Sequence, residues 1–404
     1  MQYDLIIIGG GAAGFFTALN VAAGNPKLKI AILEKGKQVL SKVRISGGGR
    51  CNVTHAEFIP QELSKNYPRG KKELIGPFHT FMTGDTMEWF DSRGVALKIE
   101  DDGRVFPVSD SSQTIIDCFL SEAERFNIQV FRGHLVKDFY ADNVGWKIRT
   151  NQGDFETIKL MIATGSNQKI WNKLTTLDHS IIDAVPSLFT FNIKDKRIED
   201  LPGIATTASV KIKNSKLSSE GPVLITHWGM SGPAILKLSA WGAIELNTYQ
   251  YNFEIVVNWL QYISQEEVID ELKELKEENS KQLVAKHPQF QLPKRLWQNL
   301  VLASGIKNTK RWADLSKKEL LALSKQLTEG VFQVEGKSTF KEEFVTAGGL
   351  HLKEVDFKTF ESKKHKNLYF AGEVLNIDAI TGGFNFQNAW TGAFIAAQAI
   401  ISEF

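Results

Sequence analysis

The chain holds only two cysteines in 404 residues, Cys51 and Cys118. They stand far apart with no Cys-x-x-Cys pair, which argues against a disulfide framework, a zinc ribbon and a dithiol relay, and leads us to expect a reducing, cytoplasmic setting. An excess of charge of either sign is missing too, since 48 Lys+Arg face 46 Asp+Glu. Charge therefore selects neither nucleic acid nor an anionic membrane as a partner. The N-terminus offers only the short apolar run Leu5 to Ile8, preceded by Asp4 and followed by glycines, so neither a signal peptide nor a membrane span is expected there. The sequence also lacks internal repeats, low-complexity tracts and long Pro/Ser linkers. What remains, 43% hydrophobic and 23% charged residues, is ordinary globular composition, enough for two or three cores.

Residues 3 to 34 read as strand, helix, strand. Tyr3 to Ile8 is a continuous apolar run, Ala12 to Ala23 has helical composition, and Lys29 to Leu33 is apolar again and ends at Glu34. Continuous apolar strands are what a parallel sheet buried on both faces produces. Ser111 to Phe126 has a Ser-rich start followed by Ile115, Ile116, Phe119, Leu120 and Ala123 at helical spacing. Alternating runs from His134 to Tyr140 and Gly145 to Thr150, with turn signals at Asp142-Asn143 and Gln152-Gly153, predict a meander before a strand at Leu160 to Ala163. Further on, residues 188 to 258 favour strands and turns. Ser264 to about Glu329 is charged, with Ser264/Glu267 and Ser316/Glu319 at capping-box spacing. A strand at Asn367 to Phe370 and a helix from Gln387 to Ile401 close the chain. The reading is an α/β protein whose two ends share one domain: 1–188 with 345–404, a β-rich insert at 189–260 with 331–344, and a helical subdomain at 261–330.

Gly9-Gly10-Gly11-Ala12-Ala13-Gly14 gives G-x-G-x-x-G spacing directly after a strand and before a helix. Such glycines make a tight turn, let backbone approach a diphosphate and bring helix against strand. Glu34, 20 residues after Gly14, ends the second strand, where a carboxylate can accept from ribose hydroxyls and would repel a 2′-phosphate. Met161-Ile162-Ala163-Thr164-Gly165 ends a strand in small residues, and Leu368 to Glu373 ends another in Gly372-Glu373. Thr381-Gly382-Gly383-Phe384-Asn385 precedes a helix whose free N–H groups can stabilise negative charge on a flavin. In this order the elements predict FAD rather than NAD.

Ser46-Gly47-Gly48-Gly49-Arg50-Cys51-Asn52 is the most unusual stretch, read as an anion-binding nest with Arg50 as fixed charge. Cys51 reads either as a nucleophile activated by its neighbouring arginine or, more economically, as a small side chain packed beside the cofactor. His227, in Thr226-His227-Trp228-Gly229-Met230-Ser231-Gly232-Pro233, is the candidate acid/base, although a histidine in a turn more often serves structure.

The ordered set GGGAAG, SGGGRCN, EDDGRVFPVSD (Glu100 to Asp110), ATGS, THWGMSGPA, TAGG (Thr346 to Gly349) and FAGEVLNIDAITGGFNFQNAW (Phe370 to Trp390) resembles the YhiN/BaiN-like family of bacterial flavoproteins over essentially the whole chain. The resemblance implies a glutathione-reductase-like FAD fold with a β-rich and a small helical insert. It also implies cofactor contacts from Gly9, Gly11, Ala12, Ala13 and Gly14, from Glu34 and Lys35, and from Ser46 through Cys51 (Ser46, Gly47, Gly48, Gly49, Arg50, Cys51). Val136, Ala163, Thr164, Gly165, Gly372, Glu373, Asp378, Gly382, Gly383, Phe384 and Asn385 complete that set. The family often carries Asp where Asn376 stands, with Asp378 close by.

The expected activity is oxidoreduction. A reduced nicotinamide, NADH or NADPH, docks transiently for want of a second Rossmann motif, and hydride passes through flavin to a small organic acceptor such as a conjugated C=C, with His227 or water giving the proton. The alternatives are an RNA-modifying flavoenzyme, for which Lys294, Arg295, Lys307, Lys310 and Arg311 would supply charge, and a flavin-binding sensor without turnover. The five cations are more simply read as a solvated face.

Overall fold

A computed structural model describes residues 2–338 and 345–404. The chain forms two compact units, Met1–Val185 with Lys341–Phe404 and Pro186–Phe340.

The first unit is built on a parallel sheet. Strand β1 (Gln2–Ile8) lies between β2 (Ile30–Glu34) and the long strand Gly153–Ile162, all parallel, with Ile8 opposite Leu33 on one side and Ile162 on the other. Strands 129–132 and 368–370 extend the parallel core outward on either side. Leu5 to Ile8 are buried because both sheet faces are covered, which is why the run is continuous rather than alternating. Helix α1 (Ala12–Gly24) is apolar nearly all round and packs against the C-terminal helix Phe384–Ser402. Helix Ser112–Arg125 starts where the Ser111 hydroxyl accepts from Gln113 N at 3.3 Å, and its apolar stripe brings Phe119 onto Phe15 and Trp390. In the meander, the Asp142 carboxylate closes the turn by accepting from Val144 N and Gly145 N.

The second unit is a seven-stranded sheet in the order 330–335, 252–258, 205–212, 218–226, 229–231, 190–192, 337–338, paired antiparallel throughout. Both capping boxes form, Ser264 with Glu267 and Ser316 with Glu319, and start the helices Gln265–Glu278 and Lys317–Thr328. These helices share one apolar core with the sheet, in which Val210 and Val257 lie with Leu272, Trp297 and Leu323. The stretch 261–330 is thus a layer on the sheet rather than a core of its own. Part of the expected β-rich segment 331–344 lies outside the described residues.

Several elements differ from expectation. Residues 41–91 carry the helices Ser41–Gly49, Pro60–Ser64, Lys71–Thr80 and Thr83–Asp91, which composition did not reveal. The C-terminal helix begins at Phe384 rather than near Gln387, so Phe384 and Asn385 belong to its first turn. Helix Pro233–Trp241 follows directly on the Ser231-Gly232 turn, where strands and turns were expected. Among the described residues, no helix is long and apolar enough to cross a membrane.

Candidate cofactor site

The carboxyl ends of the parallel strands place Gly9, Glu34, Ala163 and Gly372 along one edge of the first unit's sheet. At Gly9, φ is +113° and an added Cβ would lie 2.3 Å from the Ala163 carbonyl oxygen, so only glycine fits. Gly14 lies where a Cβ would be 2.0 Å from the Gly9 carbonyl oxygen, which is how α1 comes tight against the turn. Glu34 accepts from Gly10 N at 2.9 Å and Gly36 N at 2.7 Å, bracing the loop while each oxygen keeps acceptor capacity. Lys35 beside it is exposed. Val136 lines a cavity of about 240 Å³ with Leu135, Lys137, Phe139, Lys169, Ile170 and Lys173.

The triple-glycine stretch follows a break in the helix that starts at Ser41, and its backbone is left-handed rather than helical. Ser46 is extended, and Gly47, Gly48 and Gly49 have φ of +58°, +68° and +86°. The chain that follows is bolted to the C-terminal helix: Trp390 Nε1 donates to Val53 O at 2.9 Å and Thr54 Oγ1 donates to Gln387 Oε1 at 2.6 Å. Tyr67, wholly buried, donates to Phe384 O at 2.6 Å, and Asn385 clasps the preceding loop by exchanging hydrogen bonds with Ala379. Asn376 accepts from Gly348 N at 3.1 Å, an acceptor role its carboxamide oxygen fills as a carboxylate would.

Three charged groups of the site have partners that the sequence did not indicate. Arg50 is shared by Glu100 at 2.6 Å and Asp110 at 3.5 Å and lies over Phe106 at 3.9 Å. Both Asp378 oxygens take the Arg69 fork in a buried ion pair, which makes Asp378 a brace for the loop. Glu373 is paired with Lys42, and Gly165 stands 3.5 Å (as an added Cβ) from a Glu373 oxygen, so these two motifs do converge. Neither pattern nor spacing pointed to Tyr67, Arg69, Gln387 or Lys42, whose partners are remote in sequence.

Two observations test whether a dinucleotide fits here. The helices α1 and Phe384–Ser402 both start at glycine, Gly11 and Gly383, with no side-chain cap and no acidic residue in the first turn, leaving N–H groups for an anion. In addition, Thr164 Oγ1 and Asn388 Oδ1 are buried without a hydrogen-bond partner among the described residues. FAD, with a diphosphate, ribose hydroxyls and a polar ring edge, fits both deficits.

Of the catalytic candidates, Cys51 is fully buried and burial pushes its thiol up to about 12, against a weaker opposing hydrogen bond from Ser46. It stays protonated at neutral pH, so the nucleophile reading loses its basis. His227 is exposed in the second unit, on the turn between strands 218–226 and 229–231. That turn is pinned at Gly229, where a Cβ would lie 2.2 Å from Phe191 O.

The family described as HI0933-like protein Rossmann domain matches residues 3–399. Ribosomal RNA dihydrouridine synthase of Escherichia coli is 29% identical, aligned over 99% of this chain and 98% of that protein. The Haemophilus influenzae protein of the same name is 27% identical over 99% of both. A 3-dehydro-bile acid delta(4,6)-reductase of Clostridium scindens is 25% identical over 97% and 98%. Among solved structures, the 3-ketosteroid delta1-dehydrogenase of Sterolibacterium denitrificans has a like fold, with a TM-score of 0.53 at 11% identity over the full length of both chains. The chain therefore belongs to the HI0933-like Rossmann-domain family, a family of flavoprotein oxidoreductases.

Proposed function

We propose that the chain binds FAD in its first unit and uses it to reduce a carbon–carbon double bond conjugated to a carbonyl, drawing hydride from NADH or NADPH. The observation that carries this reading is the chemistry shared by the names of three full-length relatives. Dihydrouridine forms when two hydrogens add across the ring double bond of uracil, and a delta(4,6)-reductase of a 3-dehydro-bile acid acts on double bonds beside a ketone. Bound flavin supplies hydride acceptance from the nicotinamide and hydride donation to the substrate.

In this reading the chain's residues bind and orient. Gly9, Gly11 and Gly14 with the α1 terminus take the diphosphate, helped by Ala12 and Ala13. Glu34 accepts from ribose hydroxyls, Lys35 follows it at the surface, and the cavity at Val136 takes the adenine end. Ala163, Thr164 and Gly165 admit the cofactor close to backbone, and Glu373, oriented by Lys42, accepts from the ribityl chain. Gly382, Gly383, Phe384 and Asn385 present the helix N–H groups to the flavin pyrimidine, worth about 0.3–2 kcal/mol against a full negative charge. The hydride goes to the carbon β to the carbonyl and a proton from water to the α carbon.

A uracil ring in ribosomal RNA is the substrate we favour, because two relatives aligned over nearly both full lengths carry that name at 29% and 27% identity. This reverses the order in which the sequence alone ranks the acceptors. A small enone, supported by the 25% identical reductase, is the second reading. Protein reduced anaerobically with NADH or NADPH should lose its visible flavin band, then regain it on addition of unmodified ribosomal RNA, with uridine gaining two hydrogens by mass spectrometry. Reoxidation by enones alone would favour the second reading, and failure of both nicotinamides to bleach the band would overturn the donor assignment.

A further inference from the structure

His55 was not singled out by any motif, yet it touches the turn at the head of the C-terminal helix. Its Nδ1 lies 3.1 Å from the Gly382 carbonyl oxygen, and its ring lies against Phe384, tilted by 30° with centroids 4.5 Å apart. Because a carbonyl only accepts, Nδ1 carries the proton, and Nε2 is left as the titrating nitrogen. Nε2 faces Gly103, where a Cβ would be only 2.6 Å away, so the neighbouring hairpin leaves room for the ring by having no side chain there. The backbone is fixed as well: His55 pairs with Arg104 in the strand ladder, and Thr83 Oγ1 donates to His55 O at 2.9 Å. The imidazole is thus held beside the first turn of a helix whose N–H groups have no side-chain cap.

We propose that His55 is a positioning residue of the flavin site, one that fixes the Gly382–Gly383 turn and takes up a proton when reduction brings negative charge to that helix end. This rests on the flavin reading above. The charged groups around the ring are few. Burial holds the imidazole below its usual range, the Gly382 hydrogen bond, Asp102 and Glu57 pull it up, and Arg104 opposes them. Since burial is the largest influence, the ring is neutral at pH 7 while the flavin is oxidised. A new negative charge at that helix end adds to the pull of Asp102 and Glu57 and raises the affinity for a proton. Between the two affinities, reduction by two electrons takes up one proton at the flavin and a second at Nε2.

The test is the pH dependence of the flavin midpoint potential of the holoprotein, over about pH 5 to 8. The wild-type slope should steepen to two protons per two electrons across the window in which His55 titrates. In H55N the carboxamide can still donate to Gly382 O but does not titrate, so the slope should stay at one proton, with FAD affinity within about threefold of wild type. H55A should lose both, with the same shallow slope and FAD binding weaker by about fivefold to tenfold, measured by flavin fluorescence. Identical slopes in wild type and H55N overturn the proposal even if both bind FAD tightly. A wild-type protein that takes up no FAD overturns the flavin reading itself, and this inference with it.

Discussion

A methyl group added at Gly14 would lie 2.0 Å from the Gly9 carbonyl oxygen and 3.3 Å from Ile7 Cγ2, whereas one added at Gly11 meets nothing within 4 Å. Gly11 has φ −96°, a conformation any residue adopts. The fold therefore needs glycine at position 14, and only a ligand seated on the helix end needs it at position 11. G14A should be destabilised by about 1–3 kcal/mol or fail to fold. G11A should unfold within about 0.5 kcal/mol of wild type without cofactor, yet bind FAD at least about tenfold more weakly. Calorimetry of apoprotein with flavin fluorescence titration checks both halves, and unchanged FAD affinity in G11A would remove the diphosphate from that turn. At this scale the sequence was legible where chemistry is local: the glycine spacing and Glu34 lie within 26 residues of one another, and the structure joins them through Gly10 N. His55, Tyr67 and Arg69 were not legible, because their partners Gly382, Phe384 and Asp378 lie more than 300 residues away.

Where the strand Glu361–Ser362 crosses the segment after helix Gln168–Thr176, Ser362 Oγ is 3.1 Å from His179 Nε2, and His179 Nδ1 is 2.8 Å from Glu354. The order serine, histidine, carboxylate imitates a hydrolytic relay, but Ser362 Oγ already accepts from Lys364 N and His365 N, so its lone pairs are committed and it is a clamp. Burial lowers the affinity of His179 for a proton, even against the pull of Glu354. Burial also opposes ionisation of Glu354, but hydrogen bonds from His179, Ser180 and Lys364 outweigh it and bring the carboxyl to about 2. Both groups bind protons less readily folded than unfolded, so both favour the unfolded state as pH falls. The histidine contribution fades downward from its unfolded value of 6.5, and the glutamate contribution between 4.5 and about 2. H179Q should flatten the decline of urea midpoint below pH 6.5 and leave the steeper loss below 4.5, and an unaltered profile would show that the clamp does not titrate with folding. Elements were legible where capping and periodicity agreed, as at Ser111, Ser264 and Ser316. They were not where a short helix from Ser41 runs straight into glycines, or where helix and turn residues mingle, as at Phe384.

Two apolar cores divide the molecule, one gathering Ile6, Phe16, Trp390 and their neighbours, the other Ile225, Trp297 and Leu323, with no residue in common. The return of the C-terminal segment to the first of them was legible from the Gly-Glu strand end and the closing helix. The merging of sheet and helices in the second was not, because capping boxes report helix starts and say nothing of what a helix packs against. Every residue assigned to FAD belongs to the first unit. Binding that favours only the folded form adds RT ln(1 + [L]/Kd), about 2.7 kcal/mol at a hundredfold excess over Kd. If each core melts as its own cooperative unit, FAD reaches only one of them. Scanning calorimetry should then resolve two transitions, with added FAD raising the midpoint of one in proportion to the logarithm of its concentration and leaving the other in place. The shifting transition should be the one lowered by G14A or, below pH 6.5, altered by H179Q, which identifies it as the first unit independently of flavin. A single transition that moves as a whole would mean the two cores unfold together. A shift confined to a transition that neither substitution touches would put the cofactor on the second unit and remove the sheet-edge site.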